Sequence, residues 1–597
     1  MLLSVIDTMR RGNTKFSVVG FSLIVISYAM YFFDPVEIIK TAKLTFVEGS
    51  YIYRVWQKPP VKVFINVHMF NITNHERFLA GQDEKIRVEE VGPYVYWEEL
   101  EHTNVTFNDN GTITYIPRRT LHFDRSLSVS DPKTDRIFVA NLPLLGFSTV
   151  LRNGPKVVNM MFDSLVHMID SQPILELTAN DFLWGYDDQL VKLANQVLPN
   201  WIDFPRFGLL DRMLNEGTNV VTMVLPSEKH TQRSYSIDNF NGSPILPQWV
   251  DKNHPDEPNK CTLEEAMEGV VFPRHLTPDM HFPMYRKAFC RTLPLKYTSA
   301  GDTKNGYPVH FYKFPMDAFN SSLEQNKCYC QDGDCLPAGL SDLSPCYYNI
   351  PVAVSFPHFY GGDPSLVDNV EGISPVKEEH ESLVAIQPDI GIPLEANLKV
   401  QINLVVKTTD AIERVMKFDG MVMPIFWLHM EIKSLPDSLN NLLFLCFFVG
   451  PILVKVVIAL LASAGVALIV LPTVRSWVGK NKGIASALCC CVRRPHGHRL
   501  RTPQDLEHGG DHCGGGCVGR DGSCADACRL VLAADDSKAK ESCGAGKTGP
   551  IILTAPTIVK VKSGKSKKST GAAQYSPLGV IVPKTIFEPD GDDARSR

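Results

Sequence analysis

No excess of positive charge marks this chain: 60 lysines and arginines stand against 65 acidic residues, for a formal net charge of −5 over 597 residues. That balance offers no electrostatic footprint for DNA or RNA, so nucleic acid is not an expected partner. Catalytic signatures are equally scarce. No Gly-x-Ser-x-Gly elbow occurs, and His380-Glu381 does not open a His-Glu-x-x-His zinc helix, because Val384 stands where the second histidine belongs. Gly546-Lys547-Thr548 resembles the end of a phosphate loop but has Glu541 where a glycine is required. Cys513, Cys517, Cys524 and Cys528 follow the spacing of no standard zinc module. The expectation is a non-enzyme with no cofactor and no resident metal, in which His358 and His380 are buried structural residues.

Long apolar runs are also few, but two exist. Phe16 to Phe33 carries no charge, and at a rise of about 1.5 Å per residue it just crosses a hydrocarbon core of roughly 30 Å. Arg10, Arg11 and Lys15 precede it, which predicts a cytosolic N-terminus. Bulky Tyr28 to Phe33 stands where a cleaved signal peptide needs small residues, so the run reads as an uncleaved anchor. The second run, Leu442 to Val474, is interrupted only by Lys455, which can snorkel to the outer interface. Arg475, Lys480, Lys482, Arg493 and Arg494 follow it and predict a cytosolic C-terminal side. The expected organisation is a cytosolic stretch 1–15, a span 16–33, an extracellular or lumenal domain 34–448, a span 449–474 and a cytosolic tail 475–597.

Cysteines and glycosylation sequons test this independently. Cys261, Cys290, Cys328, Cys330, Cys335 and Cys346 all lie in the loop, an even number that reads as three disulfides with 15 possible connectivities. Sequons stand at Asn71, Asn104, Asn110, Asn241 and Asn320, the fourth weakened by Pro244, and all lie between the spans.

Within the loop, strand candidates are Val61–Met69, Val91–Trp97, Val105–Ile116, Asn219–Val224, Val309–Phe314, Val352–Phe356, Lys399–Val406 and Val422–Trp427. In the first, Lys62, Phe64, Asn66 and His68 alternate with apolar residues, as a half-buried strand requires. A helical block covers Pro155–Ile169, Asp181–Leu198 and Pro205–Leu214. In its first segment Val158, Met161, Phe162, Leu165, Met168 and Ile169 share a face, whose ordinary meaning is a core face. The fold class is α+β, an antiparallel core with helices inserted.

Several short motifs occur in one order: Val91-Gly-Pro-Tyr-Val-Tyr-Trp-Glu, Leu183-Trp-Gly-Tyr-Asp187, Ser355-Phe-Pro-His358-Phe359, Glu379-His-Glu-Ser382, Gln401-Ile-Asn403-Leu and Pro424-Ile-Phe-Trp427-Leu. With Cys290-Arg291 and the cluster Cys328-x-Cys330-x4-Cys335-x10-Cys346, they resemble the class B scavenger receptor family from about Phe16 to Val474. The resemblance implies a β-barrel-like core, an apical helical bundle and an internal tunnel, with pairings Cys261–Cys328, Cys290–Cys346 and Cys330–Cys335. It implies lipids and lipoproteins as partners and a plasma-membrane or endosomal and lysosomal location. Uptake of sterol, fatty acid or carotenoid through the tunnel is the leading expectation. Recognition of microbial or apoptotic-cell surfaces and lysosomal sorting are the alternatives.

The docking candidates are Lys156, Met160, Met161, Phe162, Leu165, His167 and Met168, since methionine-rich surfaces adapt to varied apolar partners. Asp163 and Asp170 lie among them and make a poor basic patch. In the tail, Cys489, Cys490 and Cys491 are juxtamembrane palmitoylation candidates, and Tyr575-Ser-Pro-Leu578 fits an endocytic signal.

Overall fold

The structure, a computed structural model, describes residues 2–214, 217–227, 233–250, 261–330, 335–368 and 370–491. Tyr575, Leu578, Gly546-Lys547-Thr548 and the cysteines from Cys513 to Cys528 lie outside the described residues. Residues 1–494 form one compact unit.

Its centre is a 14-stranded sheet. Eleven strands make the main path: β1 (Val63–Ile72), β2 (Ile86–Phe107), β3 (Thr112–Phe123), β4 (Val221–Val224), β5 (Ile237–Phe240), β6 (His281–Arg286), β7 (Arg291–Asp302), β8 (Pro308–Lys313), β9 (Leu383–Gln387), β10 (Ile392–Val405) and β11 (Val422–Glu431). Their spatial order is 5-4-3-2-1-11-10-9-8-7-6, so the first and last of these strands, β1 and β11, pair at the centre of the path. All ten pairings are antiparallel. The two outermost strands are joined through one short segment. Ile237 N–H donates to Ala266 O (2.7 Å), Met267 N–H donates to Pro283 O (2.7 Å), and Tyr285 N–H returns to Met267 O (2.9 Å).

The Gly-Pro-Tyr motif marks a bend in β2. Pairing with β1 shifts register between Val67 and Met69, and Gly92 sits opposite with φ +140°. A Cβ there would lie 2.7 Å from Val67 O, so the close approach needs glycine. The Leu-Trp-Gly-Tyr motif works similarly: Gly185 (φ +139°) ends the helix Ala179–Trp184, and Trp184 Nε1 donates to Tyr96 Oη at 3.0 Å.

Three expectations from the sequence are corrected. Val105–Ile116 is not one strand, because Gly111 (φ +79°) turns the chain between β2 and β3. The polar side of β1 does not face solvent: Asn66 is buried and His68 is half-buried, since a further layer from the chain between Ser355 and Ser382 covers that face. The helical stretch Asp181–Leu198 is likewise interrupted, with Asp188 capping a second helix, Gln189–Val197.

Helices Leu2–Phe32 and Gly450–Cys491 flank the domain, and the segments Thr14–Phe32 and Asp437–Arg475 are long and apolar enough to cross a membrane. Most of their apolar side chains, such as Phe21, Tyr31 and Leu460, are exposed. The two helices pack on each other at Gly20 and Gly465. A Cβ added to Gly465 would lie 2.6 Å from Gly20 O and 2.7 Å from Ile24 Cγ1. Ser27 Oγ donates to Ile458 O (3.0 Å) further along. Close backbone approach at small residues drives such pairs in lipid. Gly465→Leu is therefore expected to separate the helices. Cross-linking between cysteines placed at Ser27 and Ile458 should fall several-fold, and an unchanged yield would count against this packing.

Candidate functional site

The helix Lys156–Met168 begins after Pro155, whose fixed φ suits a helix entrance. Its buried residues are Asn159 and Val166, with Phe162, Leu165 and Ile169 half-buried against the core. Val158, Met161 and Met168, read from periodicity as sharing a core face, are instead exposed together with Val157 and Met160. The buried stripe is displaced because Phe162 packs against Phe147 (6.5 Å between centroids), which fixes the rotation of the helix. The outcome is a methionine-rich face, with Met161 67% exposed and Met168 77% exposed. That face therefore lies outside the core.

The charges beside it are partly cancelled. Asp170 pairs with Arg414 (2.8 Å), and Asp163 lies 3.7 Å from His167 while accepting the Glu413 N–H (3.1 Å). Lys156 is exposed at the helix start. The acids that made the linear segment a poor basic patch are thus engaged locally. Beneath the neighbouring helix, Leu142–Leu151, an apolar pocket lined by Phe147, Val191, Trp201, Phe204 and Ile350 has a volume of about 10 Å³.

The six loop cysteines are bonded as Cys261–Cys328, Cys290–Cys346 and Cys330–Cys335. Asn104, Asn110 and Asn241 are exposed, whereas Asn71 and Asn320 are half-buried. Asn71 Oδ1 accepts the Phe138 N–H at 2.8 Å. Cys489, Cys490 and Cys491 occupy the end of the C-terminal helix.

Most of the scattered motifs converge on one carboxylate that motif reading missed. Glu90 accepts from His68 Nδ1 (2.7 Å), His358 Nε2 (3.0 Å) and Trp427 Nε1 (3.1 Å). Burial alone would raise its pKa, but these donors hold it well below the ordinary carboxylate range. His358 Nδ1 accepts the Ser374 N–H (3.0 Å), which fixes its proton on Nε2. His380 stacks on His358 (4.5 Å between centroids) and accepts the Val376 N–H (2.9 Å). Gln401 Oε1 accepts the His358 N–H (2.7 Å), and Asn403 Nδ2 donates to Ser355 Oγ (2.9 Å). The His358 Nε2 contact with Glu90 and the Gln401 contact with the His358 N–H hold the segment from Ser355 to Ser382 against the sheet, while His358 Nδ1 and His380 Nδ1 bond within the segment. Each of these ring nitrogens already has a hydrogen-bond partner. The motif residues His358, His380, Gln401 and Trp427 carried the sequence signal for this network, but nothing in the motifs named Glu90 as their meeting point.

With the geometry in hand, comparison with known proteins is specific. Bovine scavenger receptor class B member 1 is 30% identical over 424 residues, covering 70% of this chain and 80% of its own. Human lysosome membrane protein 2 is 30% identical over 404 residues, covering 67% of this chain and 81% of its own. The murine scavenger receptor class B member 1 is 29% identical over 382 residues, covering 64% and 72%. The CD36 family model matches residues 18–476, a stretch that takes in most of both apolar segments, the sheet and the motifs that converge on Glu90, and the chain belongs to the CD36 family.

Proposed function

We propose that this protein is a cell-surface scavenger receptor that docks lipid-bearing particles on the Lys156–Met168 helix and passes sterol, fatty acid or carotenoid through its domain to the bilayer. The observation that carries the docking step is the exposed row Val157, Met160, Met161 and Met168. A flexible apolar face suits ligands that are themselves apolar and variable in shape. Family membership, and relatives named as scavenger receptors, support a receptor over an enzyme. Both termini are cytosolic in this reading, with the sheet and its disulfides outside.

Supporting the passage step, the strands at either end of the sheet are linked through Ala266 and Met267, which is how a sheet closes towards a barrel around an interior. The apical pocket of about 10 Å³ has room for one water, so the helices must part to admit a lipid. The relative named lysosome membrane protein 2 favours a second reading, a lysosomal location.

The test is Met160→Glu combined with Met161→Glu. Both side chains are exposed, so the fold should survive, and removing two apolar contacts is expected to weaken lipoprotein binding roughly ten- to a hundredfold. Uptake of labelled cholesteryl ester should fall with it. Unchanged binding would remove this helix from the docking surface, and binding without ester transfer in the wild-type protein would leave a recognition receptor.

A further inference from the structure

A larger cavity than the one beside Phe147 lies elsewhere in the domain. A pocket of about 370 Å³ lies where the loop between β7 and β8 meets the ends of β10 and β11, a size typical of small-ligand sites. Its wall is mixed. Ile432, Leu435 and Leu394 give it apolar surface, and Lys304, Lys433, Glu395 and Glu431 also line it.

Three observations fix its depth. Gly306, on its rim loop, is so placed that a Cβ there would meet the Phe448 ring at 3.7 Å. Tyr307, which lines the pocket, contacts the rings of Phe448 (5.7 Å) and Phe447 (6.4 Å) and donates its hydroxyl to Asn440 O (2.9 Å). Phe448 lies two residues before the helix Gly450–Cys491, within the apolar segment Asp437–Arg475. Asn440 and Phe448 are eight residues apart, or roughly 12 Å of helix. The polar layer of a bilayer is about 5–8 Å deep on each side. The loop therefore reaches the depth of the headgroups. Aromatic residues at Phe444, Phe447, Phe448 and Tyr307 suit that boundary.

The charges then define the occupant. Lys433 Nζ is 3.3 Å from Glu431 Oε1 and 4.8 Å from the centre of the Phe64 ring, and Glu395 Oε1 accepts the Lys304 N–H at 3.4 Å. Two cations and two carboxylates in one pocket repel neither end of a dipolar ion, but the carboxylates disfavour a purely anionic group. We propose that this pocket holds the headgroup of a zwitterionic phospholipid from the leaflet beneath the domain, its phosphate towards Lys304 and Lys433 and its amine towards Glu395 and Glu431. The site tethers the domain to its bilayer, and it rests on the two-span reading but not on passage of lipid through the interior.

The experiment places a photoreactive side chain at Asn305 of the full-length protein in nanodiscs of phosphatidylcholine or of phosphatidylglycerol, and weighs the lipid adducts. Labelling is expected to be roughly tenfold stronger with phosphatidylcholine, the value of one charge-assisted contact. Glu395→Gln together with Glu431→Gln should abolish that preference, because both lipids carry the phosphate and only the carboxylates distinguish them, with lipoprotein binding at the Met161 helix as the check on folding. Equal labelling of the two lipids, or a preference untouched by the double substitution, overturns the proposal. Cholesteryl ester transfer measured on the same discs reports on passage separately.

Discussion

Replacing Arg291 with alanine is expected to cost roughly 3–5 kcal/mol and to block export of the folded domain. Arg291 is 2% exposed and burial pushes its pKa down to about 10, yet it stays ionised at neutral pH. No carboxylate pairs with it among the described residues. Instead it donates to Ser341 Oγ (2.7 Å), Asn326 Oδ1 (2.7 Å) and Ala318 O (3.1 Å). It also lies 4.1 Å from the centre of the Tyr329 ring and 5.6 Å from that of Phe319. Asn326 and Tyr329 belong to the turn that carries Cys328, and Cys290 precedes Arg291 directly, so one side chain ties together the disulfide-bonded region. Alanine would leave three buried acceptors without a donor and open a cavity. Lysine restores the charge but cannot fork to several acceptors, so Arg291→Lys should recover only part of the loss. Chemical unfolding of the purified variants and their secreted yield are the measurements. A loss below about 1 kcal/mol for alanine would mean that the region is held by its disulfides and ring packing alone.

The sequence made some of this legible and not the rest, for identifiable reasons. The two apolar helices were readable because length and flanking charge are properties of a contiguous stretch. The strands were mostly readable for the same reason, as with Val422–Trp427 inside β11. The convergence on Glu90 was not, because its partners come from β1, β11 and the segment after Ser355, positions brought together only by sheet register. Nor was the exposed methionine face. A helix with apolar residues at Val157, Val158, Met160, Met161, Phe162 and Leu165 has more than one possible core stripe, and the Phe147 contact chooses between them. The pocket beside Lys304 depends on how a loop and two strand ends meet a helix, which leaves no local pattern at all.

Acid is expected to destabilise the domain between about pH 6.5 and pH 4, and this bears on where the receptor works. Burial, then the neighbouring charge of His358, lowers His380 to about 4; burial likewise lowers His429 to about 4, and it takes His102, stacked on Trp56, to about 3. A base whose folded value lies below its unfolded value of 6.5 binds fewer protons when folded. The unfolded chain therefore gains protons first as pH falls, and stability declines through that window. The groups facing His380 are His358, Glu90, Lys399 and His68. The Glu90 carboxylate favours the charged form of a histidine, yet it is already shared by His68, His358 and Trp427. At pH 5 the three imidazoles together should remove roughly 3–5 kcal/mol, a figure reduced for the water that reaches His429. Glu90, held low by its donors, adds to the loss only when pH falls below its unfolded value of 4.5. Thermal unfolding at pH 7.5 and pH 5 should show the drop, and His380→Asn should make it shallower, because asparagine can accept the Val376 N–H without titrating. Stability that is level from pH 7.5 to pH 5 would contradict these shifts and fit long residence in an acidic lumen. A steep fall favours the cell surface instead, since a lysosomal receptor built on this network would lose the packing of its Ser355 to Ser382 layer in the compartment where it has to act.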